Sequence, residues 1–387
     1  TAPVIEVSGR LFPVEQRYEP LEPDTKPDGK KESKEAKEIP DAVAEAISKV
    51  WREGASGAGD VLVFLPGERE IRDCAEVLRK DHVLQQRFHP EILSLFARQS
   101  VAEQERVFNP GNGRRIILTT NVAETSLTVP NIRYVVDSGL ARVKRYSYRN
   151  KVEQLQIEPI SQAAANQRAG RCGRVSDGIC IRLYSEQDYL NRPKFTDPEI
   201  LRSSLAAVLL RMSSLRLPRI QEFPFIDKPL GRAIADGVQL LDELGAIVYD
   251  EASAGDNKDI NSSFKLTPIG KQLADLPLDP RIGRMLLAAK EQNALREVTI
   301  IASALATQDP RDRPMDQAAA ADQAHLQFAD DRSEFLSFVK LWDWYQDALK
   351  HKHSNRQLEN LCRSKFLSPR RLREWRDVHG QLHTMLG

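Results

Sequence analysis

The 387-residue sequence has only four cysteines, Cys74, Cys172, Cys180 and Cys362, and no C-x-x-C pair. A disulfide framework and a zinc ribbon are both excluded on that count, and reduced thiols in a cytoplasmic protein are the expectation. Long apolar runs are also missing. The longest, at 61–65 and 205–210, fall far short of the ~20 residues that cross a bilayer, so no membrane partner is expected. Residues 1–10 have neither the basic stretch nor the apolar stretch of a secretory leader. Neither sign of charge dominates, with 56 Lys+Arg against 55 Asp+Glu. Overall charge therefore selects no partner, and only its distribution can. The chain also starts without Met, and we expect it to be an excised piece. What is present is ordinary globular material, 41% hydrophobic and 29% charged. That excludes global disorder and supports two or three domains.

The apolar run at 61–65, closed by Pro66-Gly67, predicts a strand buried on both faces of a parallel sheet. Further strands are predicted at 92–95, 115–119 and 134–137, with a short entering strand within 4–18 and helical patterns between. This alternation predicts an α/β domain, a parallel sheet with helices on both faces, over 1–195. Within it, 20–40 carries charge of both signs and is expected to be a solvated loop. After 195 the strands thin out. Helical patterns at 199–215 and 230–244, with Gly245 where a helix C′ glycine belongs, precede a possible hairpin at 246–249 and 264–266 around an acidic turn. That order predicts a winged helix over 196–265. From 266 to 387 nearly everything is helical, which predicts an all-helical bundle. Trp342, Trp344, Tyr345 and Trp375 fall at helical spacing and are expected in its core. His379 and His383 stand at i, i+4 without a third ligand and are expected on the surface, so no metal site is predicted.

The string QRAGRCGR at 167–174 carries the most chemistry. On a continuous helix, Gln167, Arg171 and Arg174 share one face and Arg168 points elsewhere. Guanidinium groups aimed one way suit a multiply charged phosphate, and a nearby glutamine can orient an attacking water. The string TTNVAETSLT at 119–128 follows a predicted strand, at the edge where open α/β sheets bind ligands. Its hydroxyls, amide and backbone N–H groups can hold phosphates without reading bases. Residues 141–174 hold eight Lys/Arg against two Asp/Glu, and Tyr146 and Tyr148 lie among them. Cations for phosphates and aromatics for bases make the composition of a single-strand channel.

These strings resemble motifs of superfamily-two helicases, DEAH-box group, and most specifically the bacterial HrpA type. QRAGRCGR resembles motif VI, TTNVAETSLT motif V, and FLPGEREI at 64–71 motif IV. VVDSG at 135–139 resembles the stretch after motif V, and TDPEILR, FPFID and LTPIG resemble winged-helix and ratchet segments. The resemblance implies a second RecA-like domain followed by winged-helix and ratchet-like modules, in an ATP-dependent 3′–5′ RNA helicase. Arg171 and Arg174 would be arginine fingers and Gln167 would position the water. Ser126, Thr128, Asp137 and Leu140 would face the nucleotide, with Asp137 meeting the ribose. Gly67, Arg69, Thr120, Asn121, Arg142 and Lys144 would grip RNA, and the segment at about 145–160 would be a strand-separating hairpin. DEAH-box proteins often carry an aromatic where Leu140 stands; leucine offers no π face, so weaker base selectivity is expected.

The sequence contains neither G-x-x-x-x-G-K-[ST] nor D-E-A-H. Those motifs cradle the phosphates and bind Mg2+. Most ligands of ATP and Mg2+ are therefore expected from a first RecA-like domain of the same protein, and this chain alone is expected to be inactive. Two alternatives stay open at this point: a non-catalytic nucleic-acid-binding module, and an adaptor that completes an ATPase in trans. No oligomer is implied.

Overall fold

The computed structural model describes residues 2–6, 11–22, 36–54, 59–250 and 263–386. Most of the charged segment 20–40, and the turn between the two hairpin strands after Gly245, lie outside the described residues. The chain divides into two compact units, 1–143 with 155–196, and 144–154 with 197–387.

The first unit contains β1 (Val14–Tyr18), α1 (Ile39–Glu53), β2 (Asp60–Phe64), α2 (Glu68–Lys80), α3 (His82–Phe88), β3 (Glu91–Leu95), α4 (Val101–Phe108), β4 (Arg115–Thr119), α5 (Val122–Thr125) and β5 (Ile132–Asp137). A hairpin follows, β6 (Leu140–Ser147) and β7 (Val152–Pro159), whose tip belongs to the second unit. Then come α6 (Gln162–Ala169), β8 (Gly178–Arg182) and α7 (Glu186–Asn191). Six strands form one sheet in the order β1-β8-β5-β2-β4-β3, every pair parallel. Leu62, Phe64, Ile117 and Val135 pack with Val107, Ala123 and Ala169 from α4, α5 and α6. Strand alternation sends Val61, Val63, Ile116 and Leu118 to the opposite face, where α1 and α2 lie. The predicted two-sided burial of the central strands is therefore realised.

The strand that pattern reading omitted is β8, inserted between β1 and β5. Its last residue, Arg182, is wholly buried yet polar, and it donates to the Tyr18 hydroxyl (2.9 Å) and to Asn166 Oδ1 (3.0 Å). At the start of the central strands, Arg115 Nε donates to Asp60 Oδ2 at 2.7 Å, and both side chains are almost fully buried. That pair clamps β4 to β2.

The second unit contains the hairpin tip and then α8 (Ala206–Ser214), α9 (Gly231–Glu243), β9 (Ile247–Tyr249) and β10 (Phe264–Leu266). The helical pattern at 199–215 is interrupted: a 3₁₀ turn at Glu199–Leu201 precedes α8. Gly245 ends α9 with φ +70° and donates to the Asp242 carbonyl, the left-handed stop its position predicted. β9 and β10 pair antiparallel. The helical remainder is α10 (Pro268–Asp275), α11 (Pro280–Glu291), α12 (Leu295–Leu305), α13 (Ala318–His325), α14 (Glu334–His351), α15 (Asn355–Ser364) and α16 (Pro369–Leu386). Trp342, Tyr345 and Trp375 sit in its core, and the indole N–H of Trp375 donates to Ser303 Oγ at 3.0 Å. His379 departs from its predicted surface position: it is half-buried and stacked on Trp342, with ring centroids 4.3 Å apart. Among the described residues, no helix is long and apolar enough to cross a membrane.

Candidate functional site

The helix that opens QRAGRCGR ends at Ala169, so Gln167, Arg171 and Arg174 do not share one helical stripe. Gly170 closes the helix, and the chain continues as a turn in which the Arg171 N–H donates to the Arg168 carbonyl at 3.1 Å. Cys172 is buried, and its Sγ–H donates to the Ala169 carbonyl. Gly173 is required by close approach. A Cβ there would lie 2.8 Å from the Phe12 carbonyl oxygen and 2.6 Å from Val14 Cγ2. The Phe12 N–H in turn donates to the Gly173 carbonyl at 2.9 Å. The turn is thus fastened to the segment entering β1, with Arg171 half-buried before the fastening and Arg174 exposed after it.

Arg171 is the unusual member. Its Nε and Nη1 are buried and have no hydrogen-bond partner among the described residues. Burial, and then repulsion from Arg174, hold its guanidinium pKa below the usual arginine value, against the attraction of Glu124. Buried donors without acceptors are costly and rare. Planar forks of this kind match the oxygens of a phosphate.

Arg168 has the opposite character. It is fully buried; its Nη1 donates to Asp137 Oδ1 at 2.8 Å, its Nε to Glu124 Oε2 at 2.9 Å and its Nη2 to the Leu140 carbonyl at 3.1 Å. Its guanidinium carbon lies 4.9 Å from the centre of the Phe64 ring. Burial opposes its charge, but Asp137 and Glu124 outweigh that and raise its pKa. One side chain therefore ties α6 to the strand of the FLPG segment, to α5 within TTNVAETSLT, and to the end of β5.

Asp137 requires a correction. It is fully buried, and its oxygens accept from Arg168, the Gly139 N–H (2.8 Å) and the Tyr184 hydroxyl (3.2 Å). A carboxylate so enclosed has no face for a ribose, and it serves to orient Arg168. Gly139 follows with φ +71°, and a Cβ there would strike the Tyr184 ring at 2.5 Å. Leu140, next in line, is partly exposed.

The FLPG and TTNVAETSLT segments emerge from the C-terminal ends of neighbouring strands β2 and β4. Thr120 donates its N–H to the Leu95 carbonyl at 3.2 Å, and Asn121, Ser126 and Thr128 are exposed. Gly67 is buried between the Arg142 guanidinium and the Glu70 carboxylate, whereas Arg69 is exposed with only Asp73 nearby, 3.9 Å away. The structure thus brings Gly67 and Arg142 together.

The basic cluster at 142–151 is largely committed to other charges. Within the second unit, Lys144 pairs with Glu153, Arg145 with Asp197 and Lys151 with Asp236. Tyr146 is buried and Tyr148 packs on the core of the unit, beneath the Arg232 guanidinium. These two tyrosines, predicted as base platforms, instead anchor the hairpin tip. Glu70, Glu124 and Tyr184 were assigned no role from the sequence. The only signal for the two glutamates was an acidic residue inside an otherwise phosphate-friendly string.

Comparison with known proteins agrees with the motif order. Residues 42–176 match the Helicase conserved C-terminal domain, 237–278 the winged-helix Helicase associated domain (HA2), and 279–368 its ratchet-like part. The ATP-dependent RNA helicase HrpA of Escherichia coli (strain K12) is 52% identical over 385 residues, 100% of this chain and 28% of that protein. The HrpA homolog of Haemophilus influenzae is 50% identical over 98% of this chain and 27% of its own length. The crystal structure of the Escherichia coli DEAH/RHA helicase HrpB covers 79% of this chain and 35% of its own, with TM-score 0.64 and 31% identity. The chain thus spans a little over a quarter of the length of these two HrpA relatives. Related along its whole length to those proteins, and carrying their helicase and HA2 domains in order, it belongs to the HrpA-type DEAH-box RNA helicases, as the C-terminal helicase portion.

Proposed function

We propose that this chain forms the C-terminal part of an ATP-dependent 3′–5′ RNA helicase, with boundaries near 195 and 265 between its RecA-like, winged-helix and ratchet-like modules. The observation that carries the reading is Arg171, whose buried Nε and Nη1 lack any acceptor among the described residues. A triphosphate held by a first RecA-like lobe supplies oxygens that match them. Arg171 and Arg174 neutralise charge that grows on the γ-phosphate, and Gln167 orients the attacking water. ATP, or another NTP, arrives with Mg2+. Among the described residues no group of three His, Cys, Asp or Glu side chains is arranged to hold a metal, so the other lobe is proposed to supply the carboxylates.

Ser126, Thr128 and Leu140 line the nucleotide side. Gly67, Arg69, Thr120, Asn121, Arg142 and Lys144 hold the backbone of a single RNA strand. Lys144, already paired with Glu153, contributes the least of these. The Glu124–Arg168–Asp137 network links the two sides, because α5 continues the RNA-facing turn and α6 leads into the arginine turn. The setting proposed for a chain whose four cysteines are all free is the reducing cytoplasm. The test is ATP hydrolysis by the full-length protein on RNA. Arg171→Ala is expected to lower turnover about 10³-fold or more and to leave RNA affinity unchanged. Turnover within a few-fold of wild type would sink the assignment.

A further inference from the structure

A cavity of about 230 Å³ lies in the helical part of the second unit, between the end of α14, α15 and the start of α16. Tyr345, Lys352, Asn355, Glu359, Arg373 and Arg376 bring polar groups to its lining. Three cations thus meet one carboxylate, an excess of two positive charges. Glu359 is already engaged: it accepts from Arg373 Nη1 at 3.0 Å and lies 3.5 Å from Arg363 Nη2. Lys352 Nζ donates to Asn355 Oδ1 at 2.8 Å. Arg376 makes no ion pair or hydrogen bond among the described residues. Tyr345 is only 2% exposed, yet its hydroxyl has no hydrogen-bond partner among the described residues. A buried phenol usually finds one. Burial raises the pKa of this phenol, Cys362 and Asp377 add to the rise, and Arg376 and Arg373 oppose it. Both guanidinium groups therefore bear on the hydroxyl.

We propose that this cavity binds a terminal phosphate group, a monoester dianion, with the Tyr345 hydroxyl donating to one oxygen and Arg373 and Arg376 holding the others. Charge decides for that class. A monoester carries a charge of about −1.5 to −2 near neutral pH and presents three acceptor oxygens, which balances the excess of two. Planar guanidinium forks and a phenol hydroxyl supply the donors those oxygens need. A backbone diester carries a single charge and two bulky ester links, and suits the cavity less. The site draws on none of the residues proposed for ATP or for the RNA backbone, so it stands or falls separately from that reading.

The experiment titrates this chain with inorganic phosphate, ribose 5-phosphate and dimethyl phosphate by calorimetry at one ionic strength. Arg171→Ala is the background throughout, so that phosphate at the proposed ATP site does not contribute. Both monoester-type ligands are expected to bind, and dimethyl phosphate about tenfold more weakly, the worth of one hydrogen bond to a charged group. Adding Arg376→Ala, a change at an exposed residue, is expected to weaken phosphate about tenfold. Adding Tyr345→Phe, which keeps the buried ring, is expected to weaken it about fivefold. Anisotropy with one RNA carrying a 5′-phosphate or a 5′-hydroxyl tells the sources apart. Tighter binding of the 5′-phosphate form, lost with Arg376→Ala, supports the proposal with an RNA end as the source. Ribose 5-phosphate binding without that gain supports it with a free phosphate metabolite. No binding of inorganic phosphate or ribose 5-phosphate, equal affinity for dimethyl phosphate, or binding that survives both Arg376→Ala and Tyr345→Phe overturns it.

Discussion

Arg168 Nη1 meets Asp137 Oδ1 at 2.8 Å with neither side chain exposed, while three residues along, Arg171 keeps two buried nitrogens without an acceptor among the described residues. Two arginines of one eight-residue string are thus built for opposite purposes. One is committed to the fold, and the other is the one proposed to meet an anion.

Stability should separate them. Arg168→Ala leaves Asp137 buried and uncompensated, and the loss is expected to be about 3–5 kcal/mol. Arg171→Ala removes donors that satisfy nothing, so stability should stay within about 0.5 kcal/mol of wild type or rise. Urea denaturation of the two variants checks the contrast. Equal losses would contradict it.

The Asp60–Arg115 clamp gives a second test in the same unit. Asp60→Ala strands a buried guanidinium at the start of β4, with an expected cost of about 3–5 kcal/mol. Exchanging both residues for apolar side chains should recover much of the loss. A single-variant cost below about 1 kcal/mol would show the pair to be dispensable.

The helical part of the second unit should weaken in mild acid. Burial, then His383 and Arg296, hold the His379 pKa below the ordinary histidine value. The unfolded chain therefore binds the proton more readily than the folded one. The stabilisation is complete above the unfolded value, about 6.5, and is lost as pH falls below it toward the folded value. Denaturation midpoints at pH 7.5 and 5.5 should differ more for wild type than for His379→Gln. Parallel pH profiles would refute this.

All four thiols should be silent in the native protein. Burial pushes Cys74 and Cys172 up to about 12 and Cys362 up to about 11, and raises Cys180 as well. A thiol reagent at pH 8 should label none of them until denaturant is added. Rapid labelling of Cys172 would show that the arginine turn opens in the native state.

Much of this architecture is legible in the residues, because burial leaves a period. The apolar strands β2 and β4 and the long helices α14 and α16 declare themselves, as does the glycine stop at Gly245. β8 hides because Arg182, a buried cation, breaks the apolar pattern with contacts that come from distant Tyr18 and Asn166. The motif strings locate the site but do not apportion roles within it. Spacing alone put Arg171 and Arg174 on one helical face, whereas Gly170 ends the helix and the tight fit of Gly173 against Phe12 fixes the turn. Asp137 was offered as a ligand by the family resemblance alone, since its place at a strand end says nothing of burial. Its burial depends on Arg168 and Tyr184, which are 31 and 47 residues away in sequence. Tyr146 and Tyr148 had a base-stacking composition, but the core of the second unit claimed them.

The most direct measurement is RNA-stimulated ATP hydrolysis by the full-length protein carrying this segment, wild type against Arg171→Ala, with RNA affinity determined on the same preparations. The account predicts turnover reduced about 10³-fold or more at unchanged RNA affinity and unchanged stability. Undiminished turnover, or RNA binding that collapses in parallel, would contradict it.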